Sequence, residues 1–162
     1  MQLVGWAMLF GLGWLAIVGL NALAWSSDRR RYVDAVGLAF LMLVNWSICQ
    51  SSLAYFGVPD GMRLWPLWDG LCAVVVAVAW TTDRRKWKAV LLGSFVAMMA
   101  LHLAFWLHYL GSATSASTYL KLLDVAALVQ MAIAGWPGAN HVAGRLCDLL
   151  FPSGPRVRHL GH

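Results

Sequence analysis

The sequence predicts an all-α, polytopic membrane protein with five transmembrane helices. Three observations carry that reading. Of 162 residues, 60% are hydrophobic and only 12% are charged, about half the charged fraction of a soluble domain. The apolar residues gather into five runs long enough, or nearly so, to cross a hydrocarbon core, for which about 20 residues are needed. The basic residues gather in alternate loops between those runs. A soluble domain of this composition would expose a nearly charge-free surface, and such surfaces aggregate. The composition therefore excludes a soluble enzyme, a nucleic-acid binder and a disordered chain. It makes the lipid bilayer the first partner.

The first run, residues 2–25, has no positive leading region and exceeds the roughly 7–15 apolar residues of a cleavable signal. Ala22-Leu23-Ala24 mimics a cleavage site, but Arg29, Arg30 and Arg31 follow. Positive charge after the run marks a retained anchor with its N-terminus outside. The second span covers residues 32–56. The third, residues 64–80, is short and opens with Pro66, which a first helical turn accepts. The fourth covers residues 87–110. The fifth, residues 119–136, carries Lys121, Asp124 and Gln130, with an otherwise apolar core.

Ten basic residues lie in the loops after the first and third runs and in the tail; the opposite side holds only Arg63 and Lys121. This asymmetry predicts N-terminus out and C-terminus in. It also places the chain in a bacterial inner membrane, of host or phage origin. Trp25, Trp80, Trp87 and Trp136 fall at the inner boundary, and Trp6, Trp65, Trp68 and Trp106 near the outer one, as aromatic belts do. Trp14 and Trp46 fall mid-span, where an indole N–H needs an internal acceptor.

A repeat is visible at a shift of 55: the segment from Ala24 to Tyr32 matches that from Ala79 to Trp87, with five of nine positions identical. It predicts a duplicated helical hairpin plus a fifth helix, the copies being parallel. Residues 111–118 read as a flexible small-residue linker. After Trp136-Pro137-Gly138, Asn140 is placed to cap a short helix ending near Phe151. Val142, Leu146, Leu149 and Leu150 share one face of it, which predicts an amphipathic helix on the inner surface. The organisation is thus a transmembrane bundle over 1–136 and a cytoplasmic helix with a basic tail over 137–162.

Ionisable groups inside a membrane are costly and often functional. Asp69 and Asp124 lie at matching depths in the third and fifth spans. Lys121 precedes Asp124 by three residues, a same-face spacing. With His108 and Arg63 they form an expected outer cluster, read either as a cation or proton site or as interfacial charges snorkelling to water. A deeper set comprises Asn45, Ser47, Gln50, His102 and Gln130, residues that hydrogen-bond between helices. His102 is the sharpest proton-shuttle candidate. A bis-His haem needs a second His at that depth, and none is present, so no cofactor or metal is expected.

Cys49, Cys72 and Cys147 share no metal or redox spacing and read as small buried apolar residues. No catalytic motif occurs: G-x-S-x-G, H-E-x-x-H, the P-loop and G-x-G-x-x-G are absent. Ala7/Gly11, Gly93/Ala97 and Ala134/Gly138 have the spacing of close helix packing. In gross architecture the chain resembles the tryptophan-rich sensory (translocator) proteins. Their early Trp-Pro-Pro run has no counterpart here, so no ligand residue carries over. Small phage holins share the size and basic inner tail but usually have fewer spans. The functional expectation is a non-catalytic binding or accessory protein, partnered by a second copy or another membrane protein. The alternatives are a holin-like lesion-forming protein and a small proton- or cation-coupled carrier.

Overall fold

The computed structural model describes residues 2–57, 60–108 and 113–151, with side chains over 8–57, 60–107 and 117–151. Its helices are α1 (Gln2–Ser27), α2 (Arg29–Phe56), α3 (Trp65–Thr82), α4 (Lys86–His108) and α5 (Ala113–Leu150), with a 3-10 turn over Asp60–Leu64 ahead of α3. No strand occurs among the described residues. Five segments, Met8–Ser27, Arg29–Phe56, Asp60–Thr82, Lys86–Leu107 and Ser117–Leu150, are long and apolar enough to cross a membrane. Leu12, Leu15, Val74, Val78, Val96 and Leu103 stand exposed on the outside of the bundle. In water such a surface would associate; in a bilayer it is solvated. Trp14, Met42, Val76, Leu91 and Phe95 fill the interior.

Single residues end the helices at the basic loops. Asp28 breaks α1 from α2 and caps α2, its carboxylate accepting from the Arg31 N–H at 3.1 Å. Asp83 occupies the equivalent position after α3. Both are extended (φ −146°, ψ 92° and φ −141°, ψ 102°). Both donate their N–H to the residue four back, Ala24 or Ala79, at 3.2 Å. The repeated sequence therefore builds the same local exit from a helix. The copies diverge beyond it: α2 starts at once at Arg29, whereas α4 waits until Lys86. They also meet, since the Arg85 guanidinium donates to the Arg31 carbonyl.

At the other end, α2 stops at Gly57, whose φ of +71° favours glycine. The 3-10 turn then folds back onto α2. A Cβ on Gly61 would lie 2.6 Å from the Ser52 carbonyl oxygen and 2.8 Å from Leu53 Cα. Only glycine permits that approach. The fold-back carries Trp65 inward, where its Nε1–H donates to the Cys49 carbonyl (3.1 Å) and Ser52 Oγ (3.0 Å). The expected place of Trp65 in an outer aromatic belt is thus corrected to the core. One turn further along α3 lies Asp69.

α5 departs most from the sequence reading. The expected linker becomes helical from Ala113, and the helix expected to start at Asn140 is a continuation of the fifth span. At 1.5 Å per residue, 38 residues give about 57 Å, well beyond a hydrocarbon core of about 30 Å. Pro137 lies inside it without breaking it. Proline lacks the N–H that the Ile133 carbonyl would accept. One residue on, the fully buried Asn21 of α1 donates to the Ala134 carbonyl at 2.9 Å and ties α1 to this stretch of α5. Gly138 makes room for it: a Cβ there would lie 2.8 Å from Asn21 Oδ1 and 2.9 Å from the Leu20 carbonyl carbon. Beyond, His141 meets Tyr32 edge-on and Arg145 reaches Ser27, while Leu146 and Leu149 remain exposed.

Of the small-residue pairs, Gly11 lies under the Trp46 ring and Gly138 against α1, but Gly93 faces open space. The side chain of Ala7 lies outside the described residues, as do those of Trp6 and His108 and the tail beyond Phe151. Cys49 and Cys72 are buried and free, as expected; Cys147 is exposed, because it projects with the end of α5.

Candidate functional site

Four helices contribute to one buried chain of polar side chains. Asp69 on α3 is 4% exposed. Its Oδ1 accepts from Asn45 Nδ2 on α2 at 2.6 Å, and its Oδ2 bonds His102 Nε2 on α4 at 2.8 Å. The other ring nitrogen of His102 bonds the Tyr119 hydroxyl on α5. A carboxylate only accepts, so the network assigns the proton to Nε2. Nδ1 then accepts from the Tyr119 O–H when the ring is neutral. Tyr119 is held by stacking on Phe105, with centroids 4.1 Å apart.

Beside this chain lies a cavity of about 170 Å³. Asn45 and Asp69 form part of its wall, with Gln50 and Cys49 of α2 and Gln130 of α5. Trp14, Trp46 and Trp65 supply aromatic surface, and the exposed Asp124 stands at its rim. His102 and Tyr119 are behind the wall, not in it. They therefore orient Asp69 and do not present a nucleophile to the cavity.

Three buried polar atoms of the lining residues have no partner among the described residues: Trp14 Nε1, Asn45 Oδ1 and Gln130 Nε2. An unsatisfied buried polar group costs about 1–3 kcal/mol. The orientation of Asn45 is fixed by chemistry: its NH₂ must face the Asp69 carboxylate, so its free atom is an acceptor.

Below the cavity, towards the basic loops, the packing between α2, α3 and α4 is apolar, and the buried Asn21 lies on the α1–α5 side. Leu38 of α2, Val76 of α3, and Leu91 and Phe95 of α4 are at most 3% exposed. Beneath that layer sits a second polar centre. The Lys88 ammonium, 0% exposed, bonds the Asp34 carboxylate, the Ala79 carbonyl (3.0 Å) and Asp83 (3.4 Å). It ties α4 to α2 and to the end of α3. In sequence the lysine reads only as a topology signal, because it follows Arg84, Arg85 and Lys86 in one basic cluster.

The sequence-predicted residues regroup accordingly. Asp69, assigned to the outer cluster, and His102, assigned to a deeper set, are direct partners. Asn45 joins them, and Gln130 lines the same cavity. Asp124 shares the cavity with Asp69, but no bond links the two. Lys121 is exposed and makes no ion pair with Asp124 among the described residues. Arg63 pairs with Asp60 instead, at 3.2 Å and largely exposed. The His108 side chain lies outside the described residues. Ser47 bonds the Leu43 carbonyl of its own helix, without bridging helices. Tyr119 went unnoticed in sequence as an ordinary boundary aromatic. No group of three or more metal-ligating side chains occurs among the described residues.

Fold and site together define an all-helical bundle of five membrane-compatible helices with a partly open, largely apolar, tryptophan-lined cavity that carries a few polar side chains. No protein-family model matches the chain. No curated protein and no solved structure matches it either.

Proposed function

We propose that this chain is a multi-pass inner-membrane protein that binds a small solute inside its helical bundle, acting as a binding or accessory component without catalysis. The observation that carries the reading is the set of three unpartnered buried polar atoms on residues lining one cavity. Interiors avoid such groups, and a cavity of comparable size, about 150 Å³, accepts a benzene-sized guest. The positive-inside asymmetry supports the N-out, C-in orientation, with the cavity in the outer half. A carrier is the second reading. It is favoured by the apolar layer and the Lys88 centre, which together close the cavity from the basic end.

The test uses benzyl alcohol, one ring with one donor and one acceptor. Titrated calorimetrically into the purified full chain in maltoside micelles, with empty micelles as reference, it is expected to bind saturably at one site. Ala127→Phe, which places a ring in the cavity wall, is expected to weaken binding at least about tenfold. Equal, non-saturable uptake by both proteins contradicts the reading.

A further inference from the structure

We infer that the solute is a small organic ammonium ion of about one-ring size. The inference rests on the cavity being a ligand site, as proposed above, and concerns the chemistry of what fills it.

Three features of the wall converge. The first is charge. Two carboxylates, Asp69 and Asp124, line the cavity, and no Lys or Arg does. Asp124 has no ion-pair partner among the described residues; Asp69 is met only by an amide and an imidazole. The second is hydrogen-bond polarity. Asn45 gives its NH₂ to Asp69 and leaves its carbonyl oxygen free. A carboxylate and an amide oxygen held together by that bond form an acceptor pair, and the complement of an acceptor pair is a polyvalent cationic donor. An ammonium carries three N–H groups; a hydroxyl carries one O–H.

The third feature is the surface. Trp14, Trp46 and Trp65 contribute indoles, the ring system that attracts cations most strongly. A bare metal ion would need a shell of ligands, and no group of three or more His, Cys, Asp or Glu side chains occurs among the described residues. Aromatic surface beside carboxylates instead suits a cation with an apolar body. The volume of about 170 Å³ limits that body to about one ring. The free Trp14 N–H and Gln130 NH₂ are donors. They call for an acceptor on the same molecule, so an amine that also bears a hydroxyl or carbonyl suits the lining best.

The test compares three probes of one size and different charge: benzylammonium, benzyl alcohol and benzoate. Each is titrated calorimetrically into the purified full chain in maltoside micelles at neutral pH, against empty micelles. Benzylammonium is expected to bind at least about tenfold more tightly than benzyl alcohol, and benzoate more weakly than either. Asp69→Asn and, separately, Asp124→Asn are expected to bring the ammonium-to-alcohol ratio down towards one. The Asp124 variant changes an exposed rim residue, so it stays informative if the buried substitution misfolds. Equal binding of benzylammonium and benzyl alcohol overturns the inference and leaves the cavity reading standing. Tightest binding by benzoate also overturns it. Absence of saturable binding by all three overturns both.

Discussion

At the residue scale, the Asp69 carboxylate depends on its two neighbours unequally. Asn45 supplies a direct charge-assisted bond, whereas Tyr119 acts one step away through His102. Hydrogen bonds to charged groups are worth about 1.5–3 kcal/mol, while interhelical bonds in membranes average about 0.6 kcal/mol. Asn45→Leu, close in size, is therefore expected to cost about 1–3 kcal/mol, and Tyr119→Phe, which keeps the stack on Phe105, under about 1 kcal/mol. Thermal unfolding of the purified variants in micelles measures both; a costlier Tyr119→Phe would sink this ranking. Lys88 is a different case. Its ammonium is buried but Asp34 and Asp83 are each 38% exposed. Lys88→Met leaves carboxylates that water can reach, so its cost is expected to fall short of the about 3–5 kcal/mol for breaking a fully buried pair. A larger loss in the same assay contradicts that account.

At the scale of elements, two close approaches fix the bundle, and each depends on a missing Cβ. Gly61 holds the 3-10 turn on α2, and Gly138 lets α5 meet Asn21 of α1. Gly61→Ala and Gly138→Ala are each expected to lower the unfolding midpoint clearly, because a Cβ at Gly61 meets only backbone and one at Gly138 meets the Leu20 carbonyl carbon and the bonded Asn21 side chain. Gly93→Ala faces open space and is expected to leave the midpoint unchanged or slightly raised. Similar behaviour of all three substitutions contradicts the packing argument. The same elements explain what the sequence could and could not disclose. Hydropathy and loop charge located five helices because both signals are local. The pairing of Asp69 with His102 was legible in principle. Asp69 lies 14 residues before Asp83 (83 − 69) and His102 lies 17 after Arg85 (102 − 85), so an antiparallel hairpin brings them level. Asn45 was obscured by the fold-back at Gly61, which shortens the α2–α3 connection. The continuity of α5 through Pro137 has no local signal, and the contact that ties this stretch to α1 comes from Asn21, more than a hundred residues away.

At the scale of the whole molecule, the polar groups are layered. One end holds the cavity and its four-residue chain, the other the Lys88 centre and the arginines of the two basic loops, and apolar packing between α2, α3 and α4 separates them. In the proposed orientation, charge asymmetry sets the direction of that axis. A reporter active only in the cytoplasm is expected to work when fused after Arg31, Lys88 or His162, and to fail after Asp60 or Ser112. Activity at Asp60 would invert the molecule and turn the cavity towards the cytoplasm. The exposed apolar end of α5 lengthens the basic side beyond what a single span needs.

The central claim is that the bundle interior, and not its lipid-facing surface, receives a small solute. A crystal of the full chain soaked with 4-bromobenzyl alcohol tests it most directly, since the bromine can be located by its anomalous scattering. The expected result is one dominant peak within the cavity, in reach of Trp14, Asn45 and Gln130, that disappears in Ala127→Phe. Peaks confined to the outer apolar faces, with the cavity unchanged, would contradict the account.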